Sequence, residues 1–168
     1  MVDAIPAYIA PESVEAFEKF SVFTKAELES RSEVQYEAYS KAINIEARTM
    51  IDMAAKQFIP TAIDYTTVLA KSINEIKSAV PDADVSTQTE MLLEASALLT
   101  DTKVALAKLT DLTNNAANIE GARELAVYYR DEIKAAMDEL RAPVDKLEMI
   151  VDKKLWPMPS YGDLIFEV

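Results

Sequence analysis

The side chains in this sequence that could do chemistry are carboxylates at helical spacing. Glu33 and Glu37 are four residues apart, as are Glu148 and Asp152, so each pair would share one face of a helix. Two carboxylates placed in this way can bind a divalent metal or divide acid and base roles between them. Because the chain carries 29 Asp and Glu residues and a net charge of -12, such pairs also arise by chance. We interpret both pairs as parts of a solvated acidic face.

The chain contains neither histidine nor cysteine. This excludes Ser-His-Asp triads and zinc sites built on imidazole or thiolate, and it disfavours a carboxylate-bridged metal enzyme. The two glycines stand alone at positions 121 and 162, so no glycine-rich loop is present to hold phosphate. The acidic charge argues against nucleic acid and membrane surfaces as partners. We therefore predict no catalytic, cofactor-binding or metal-binding residue in this chain.

Two further groups have the composition of binding surfaces. Tyr128, Tyr129 and Arg130 could form a patch through ring stacking and guanidinium contacts. We expect instead that one tyrosine packs in a helix interface while the other tyrosine and the arginine border it. The methionines that could line an adaptable groove are interpreted as core filler: Met50, Met53, Met137 and Met149.

Helices must position these side chains, because half of the 168 residues are hydrophobic and only 2 are glycine. Residues 24–27, Thr-Lys-Ala-Glu, have the spacing of a capping box and predict the start of a long helix. Apolar or small residues then recur on one face, and Pro60 should kink or interrupt the helix. This face consists of Leu28, Ser32, Tyr36, Tyr39, Ile43, Ala47, Met50, Ala54 and Phe58, followed by Ile63, Leu69, Ile73, Ile76 and Val80.

Two more helices follow at turns. A turn at residues 81–84 and a second capping box at residues 87–90 predict a helix with a narrow seam at sevenfold spacing. This seam consists of Leu92, Ala95, Leu99, Thr102, Leu106, Leu109 and Thr113. Asn114 and Gly121 mark the next turn, and a last helix should run from about Ala122 to about Lys154 with a bend at Pro143. Its face consists of Leu125, Tyr129, Ile133, Ala136, Leu140, Val144, Leu147 and Ile150.

The predicted fold is all-α, an elongated bundle of three long antiparallel helices, the first kinked at Pro60, with an extended C-terminal tail. Within one domain we distinguish residues 1–23, a lead-in segment with one short helix, and residues 24–154, the helical bundle. Residues 155–168 form the tail. The lead-in begins like the middle of a connection, so we expect a fragment of a longer protein.

The tail breaks the helical pattern of the rest of the sequence. Pro157 and Pro159 exclude a regular helix where they stand, and a turn at Gly162 should precede a strand-like segment at residues 164–166. Disordered tails are poor in large apolar side chains, whereas this tail carries Trp156 and Phe166. We therefore expect it to be docked on a surface.

Three stretches of the chain resemble the C-terminal region of type III glutamine synthetases. They are residues 22–31, residues 43–54, and residues 128–141 continuing to the tail. The tail is the most specific part, because it follows the string Leu-Trp-Pro-x-Pro-x-Tyr-Gly-Asp-Leu-Leu-Phe with Ile165 in place of the second leucine of the Leu-Leu pair. The segment from Leu92 to Thr113 matches weakly.

No apolar stretch is long enough to cross a bilayer and the first ten residues do not resemble a signal peptide, so we expect a cytoplasmic protein. The resemblance implies a parent enzyme that joins glutamate and ammonia with ATP and Mg or Mn, assembled as a double-ring dodecamer. Its active site is made by glutamates and arginines of an upstream catalytic domain, and no motif for that site occurs here. Glu46 and Arg48 lie in the best-matching helix and are interpreted as a structural ion pair or packing contact.

The resemblance therefore predicts an inactive, noncatalytic C-terminal domain without cofactors of its own, which serves interdomain or oligomer packing or regulation. Its partners would be the upstream catalytic domain and further copies of the enzyme. The alternative is a free-standing helical protein-interaction module, which similar periodicity would produce.

Overall fold

A computed structural model of the chain describes residues 1–159 and 161–166. The predicted tail residues Ser160, Glu167 and Val168 lie outside this range. Every regular element within the range is helical, which confirms the predicted all-α class. None of the helices described has both the length and the apolar character needed to cross a membrane. The α-helices are α1 (Pro11–Lys19), α2 (Lys25–Met53), α3 (Ile59–Ala79), α4 (Ser86–Asn115), α5 (Ala122–Tyr128), α6 (Lys134–Ile150) and α7 (Tyr161–Phe166).

The chain divides into two compact units. Unit 1 comprises Met1–Thr49 and Leu109–Met137, and unit 2 comprises Met50–Lys108 and Asp138–Val168. Each unit thus combines segments that are distant in sequence, and each has a hydrophobic cluster of its own.

The capping box predicted at the start of α2 is present. Glu27 Oε2 accepts a hydrogen bond from the Thr24 backbone N–H at 2.7 Å, and Thr24 Oγ1 accepts a longer one from the Glu27 backbone N–H at 3.4 Å. The first N–H groups of a helix have no partner within it, so these bonds stabilise the helix start. Because the Glu27 carboxylate accepts bonds from the backbone and the hydroxyl of Thr24, its pKa lies below the ordinary value.

Pro60 perturbs the first long helix without ending it. Residues Ala54–Phe58 form a π-helical segment between α2 and α3, and the proline lies in the first turn of α3. A proline has no N–H to donate to the preceding turn, and its ring crowds that turn. A wider π turn just upstream relieves both conflicts. The irregularity predicted at Pro60 is therefore local, and the chain stays helical from Lys25 to Ala79.

The apolar face predicted after Pro60 is wrong at two positions. Ile63 is exposed, and its neighbour Ala62 lies in the core with Tyr65. Phe58 and Ala62 are four residues apart, the ordinary spacing along one helix face, so the small residue faces inward instead of the larger Ile63. Val80 is also exposed, because the helix has ended and its backbone is extended.

The second predicted capping box is also wrong, because α4 begins before it. Asp84 Oδ1 accepts a hydrogen bond from the Ser86 backbone N–H at 2.9 Å, and this bond lowers the pKa of Asp84. Thr89 sits inside the first turn, where its hydroxyl donates to the Val85 carbonyl at 2.9 Å. An Asx turn therefore starts this helix.

The seam of α4 is confirmed, with Leu92 and Leu99 half-buried and the other five members buried. Two of the buried members are polar. The hydroxyls of Thr102 and Thr113 donate to the backbone carbonyls four residues earlier at 2.8 Å and 2.7 Å. These bonds satisfy both hydroxyl groups inside their own helix, so the seam can stay closed to water.

The last long helix starts and faces inward as predicted but is less regular. Gly121 precedes α5 with φ +91, a left-handed conformation that glycine adopts without strain. A π-helical segment at Tyr129–Ile133 separates α5 from α6, and α6 continues through Pro143. The helix ends at Ile150 instead of near Lys154. There the Asp152 carboxylate accepts the Lys154 backbone N–H at 2.9 Å, which favours a turn.

Within unit 2, the helices pack around one apolar cluster. Its buried members are Ala62, Tyr65, Leu69, Ala95, Leu98, Leu147 and Val151. In this cluster Ala95 and Leu98 of α4 meet Leu147 of α6. Further towards the C-terminal end of α4 and the N-terminal end of α6, Lys108 Nζ pairs with Glu139 Oε2 at 2.6 Å. The two helices therefore run antiparallel in this unit, as predicted.

The lead-in segment is part of the core of unit 1. Its predicted short helix is α1, but residues Val2–Ile9 also form a 3-10 helix that no sequence pattern indicates. Val2 and Ile5 are buried against Tyr36 of α2 and Ala126 of α5. An apolar segment with a proline is typical of an irregular connection between elements, although it can also pack as a short helix.

We predict a pH-dependent contribution from the capping box. The pKa of Glu27 is lowered in the folded chain, so its stabilising effect is present above the unfolded value and is lost as the pH falls through the folded one. The unmodified chain should therefore have a higher urea midpoint than Glu27→Gln at pH 6, and the gap should narrow as the pH falls below the ordinary glutamate pKa of about 4.3. A gap that is constant across this range would contradict the assignment. Thr24→Ala should cost about 1 kcal/mol at pH 6.

Candidate functional site

The carboxylate pairs that the sequence offers are exposed and dispersed. Glu37 Oε2 accepts a hydrogen bond from Lys41 Nζ at 2.8 Å, and Glu33 is exposed beside it. Glu148 is also exposed, whereas Asp152 is engaged by the backbone of its own turn. Among residues 1–159 and 161–166, no three acidic side chains come together as a metal-binding group.

The tyrosine pair of residues 128 and 129 belongs to the packing of unit 1. Tyr129 is buried, and burial raises its pKa. Tyr128 is half-buried, and its hydroxyl donates to the Leu112 carbonyl oxygen at 3.1 Å. One ring therefore fills the core while the other ties α5 to α4.

Arg130 is engaged by carboxylates of its own unit. Its Nε and Nη2 donate to the two oxygens of Asp131 at 2.6 Å and 2.8 Å, and its Nη1 pairs with Asp3. The guanidinium lowers the pKa of Asp131 by these bonds. This arrangement pins the N-terminal 3-10 helix to the start of the π-helical segment, and the charge of Arg130 is already balanced.

The ion pair considered for Glu46 and Arg48 does not form. Arg48 Nε donates to the Asn44 side-chain oxygen at 3.1 Å, one turn earlier on the same face. Residues two apart on a helix face different directions, so Glu46 cannot reach this position.

The best candidate site is a cavity in unit 2 that no sequence pattern marks. Its volume is about 570 Å³, within the range of about 300–1,000 Å³ that is usual for ligand pockets. Met50 and Met53 line it from the end of α2, Val144 lines it from α6, and Trp156 and Leu164 line it from the tail. Most of its walls are therefore apolar, as in sites for organic molecules.

An aromatic stack forms one wall of this cavity. The rings of Phe58 and Trp156 lie nearly parallel, with centroids 5.2 Å apart and an interplanar angle of 14°. Trp156 also packs against the cluster of unit 2. Its Nε1 is shielded from solvent and has no hydrogen-bond partner among the described residues. Packing alone therefore holds the indole ring.

Three charged side chains of α6 line the same cavity. Arg141 Nε donates to Asp145 Oδ2 at 3.1 Å, and both side chains are largely exposed. Glu148 lies one turn further along the helix and has no ion-pair partner in the described part of the chain. The charged lining thus has an excess of one negative charge.

The end of the tail is a short helix, so the strand-like prediction for residues 164–166 is wrong. Proline restricts itself and the residue before it, and a helix can form beyond Pro159. Lys153 Nζ pairs with Asp163 Oδ1 of α7 at 2.5 Å, and Leu164 lines the cavity. Ile165 and Phe166 remain 64% and 81% exposed. The tail is therefore docked at Trp156 and presents apolar side chains at its end.

The methionines differ in their surroundings. Met50 and Met53 are half-buried cavity walls, and Met137 is half-buried in unit 1. Met149 is 84% exposed, so its prediction as core filler is wrong. It falls next to the buried row of α6 and not within it.

Comparisons with known proteins all lead to the same family. The family model described as the glutamine synthetase C-terminal domain matches residues 1–77. A glutamine synthetase of Butyrivibrio fibrisolvens is 33% identical over 166 residues, which are 99% of this chain and 24% of that protein. One of Bacteroides fragilis is 28% identical over 86% of this chain and 20% of its own length. A type-3 glutamine synthetase of Dictyostelium discoideum is 26% identical over 98% of this chain and 23% of its own length. The chain spans about a quarter or less of these relatives.

Replacement of Phe58 by alanine should release the indole ring of Trp156. Since Trp156 is the single tryptophan, its fluorescence reports this site alone. In Phe58→Ala we expect red-shifted emission and stronger quenching by acrylamide, together with a loss of stability that includes the roughly 0.5–1.5 kcal/mol of an aromatic pair. Phe20→Ala, at an exposed ring of unit 1, is the control and should leave the emission unchanged. Unchanged emission in Phe58→Ala would contradict the stack.

Proposed function

Because this chain is a glutamine synthetase C-terminal domain, we propose that it is the noncatalytic end of a type III enzyme and that it supports packing between parts of that enzyme. The parent would join glutamate and ammonia in an ATP-dependent ligase reaction. The observation that carries the packing role is the exposed apolar end of α7, where Ile165 and Phe166 follow a docked segment.

The chemistry of the parent would lie outside this chain. The sequence has no histidine, and its described residues contain no metal-binding group. The positive charge of Arg130 is balanced by two aspartates, Asp3 and Asp131. We therefore assign ATP and Mg or Mn to an upstream catalytic domain of the same polypeptide, and no reaction step to residues of this chain.

The partner of the apolar end would be that upstream domain. The matched relatives are about four times longer than this chain or more, which supports a large partner in the same polypeptide. This difference in length favours the accessory-domain role over a free-standing interaction module. We extend the proposal to a cytoplasmic homo-oligomer, the double-ring dodecamer that the resemblance implies.

The test is a double substitution, Ile165→Ser with Phe166→Ser, in the full-length parent enzyme. We expect more dissociation of the oligomer on dilution, measured by analytical ultracentrifugation, and faster proteolytic release of this domain. In the chain by itself the same change should leave the thermal midpoint within about 1–2 °C, because both side chains are exposed.

The matched control is Val104→Ser on α4, which is as exposed as Ile165 and is not part of the tail. It should leave the oligomer unchanged. Equal behaviour of the double variant and the unmodified enzyme would contradict docking through α7.

A further inference from the structure

We propose that the cavity of unit 2 binds a small organic cation with an aromatic or aliphatic body. This inference concerns the chain itself and does not depend on the role of the chain in a larger enzyme. It rests on three features of the cavity: its size, its aromatic and thioether walls, and the sign of its charge.

The walls fit an apolar body of some flexibility. The Phe58 and Trp156 rings offer a continuous aromatic surface, and Met50 and Met53 add unbranched, polarizable side chains that adapt to different shapes. The volume of about 570 Å³ accommodates a molecule larger than a single ring.

The charge of the cavity selects a cation. Arg141 and Asp145 neutralise each other, which leaves the carboxylate of Glu148 for an ammonium group. Aromatic faces attract cations as well, so the stack and the carboxylate act in the same direction. The net charge of -12 of the whole chain adds a long-range field that repels anions. A carboxylate ligand would meet all of these effects with the wrong sign.

The experiment uses three probes with one body: 4-phenylbutylamine, 4-phenylbutanol and 4-phenylbutyrate. The readout is the indole N–H resonance of the single tryptophan in a ¹⁵N-labelled chain. We expect a saturable shift with the amine, which should bind about two- to fivefold more tightly than the alcohol, as one partly exposed ion pair supplies. The butyrate should bind most weakly.

Two variants separate local charge from overall charge. Glu148→Gln should remove the advantage of the amine over the alcohol, whereas Glu132→Gln, an exposed carboxylate of unit 1, should retain it. Circular dichroism should show that both variants keep their helices. The proposal is overturned if no probe gives a saturable shift, if the three probes bind equally, or if both variants lose the amine preference alike.

Discussion

The burial of one apolar stripe on each long helix is the constraint on which this structure depends. Helix hydrogen bonds are local and give the helices no reason to associate, so the stripes must hold together the helices within each unit. In α4 the stripe is narrow and includes Thr102 and Thr113, which is possible only because both hydroxyls bond within the helix. In unit 2 the same constraint gathers α3, α4 and α6 around Leu147. The π-helical segments and the tail are adjustments to this packing.

The features that the sequence predicts are those with a local or periodic cause. The cap at Thr24, the turn that Gly121 marks and the buried rows of α4 and α6 each follow from a few neighbouring residues or from a repeat. The π segments, the Asx start at Asp84 and the short helix α7 do not, because competing local bonds of similar energy decide them. The cavity has no sequence signal at all, since Phe58 and Trp156 meet only after the chain has folded.

The same contrast between local and tertiary causes explains which parts of the function can be inferred from the sequence. The absence of imidazole and thiolate side chains excludes the reactions and metal sites that need them, and this follows from composition alone. The family resemblance is most specific in the sequence of the tail, and the comparisons with known proteins confirm the family. What such a domain contributes depends on the surfaces through which it binds other molecules, and those surfaces form only when the chain has folded. The structure supplies two of them in unit 2: an apolar helix end at Ile165 and Phe166, and a cavity with the lining of a ligand pocket. Both involve the tail, whose aromatic residue Trp156 fixes one end of it to the unit.

Our central proposal is that this chain stabilises a parent enzyme without taking part in its chemistry. The most direct test is to delete it from the full-length parent and to measure subunit stoichiometry and turnover per assembled particle in the same preparation. We predict a loss of assembly or of thermal stability, with chemistry retained in the particles that still form. An intact oligomer of unchanged stability, or assembled particles that have lost their chemistry, would contradict the account.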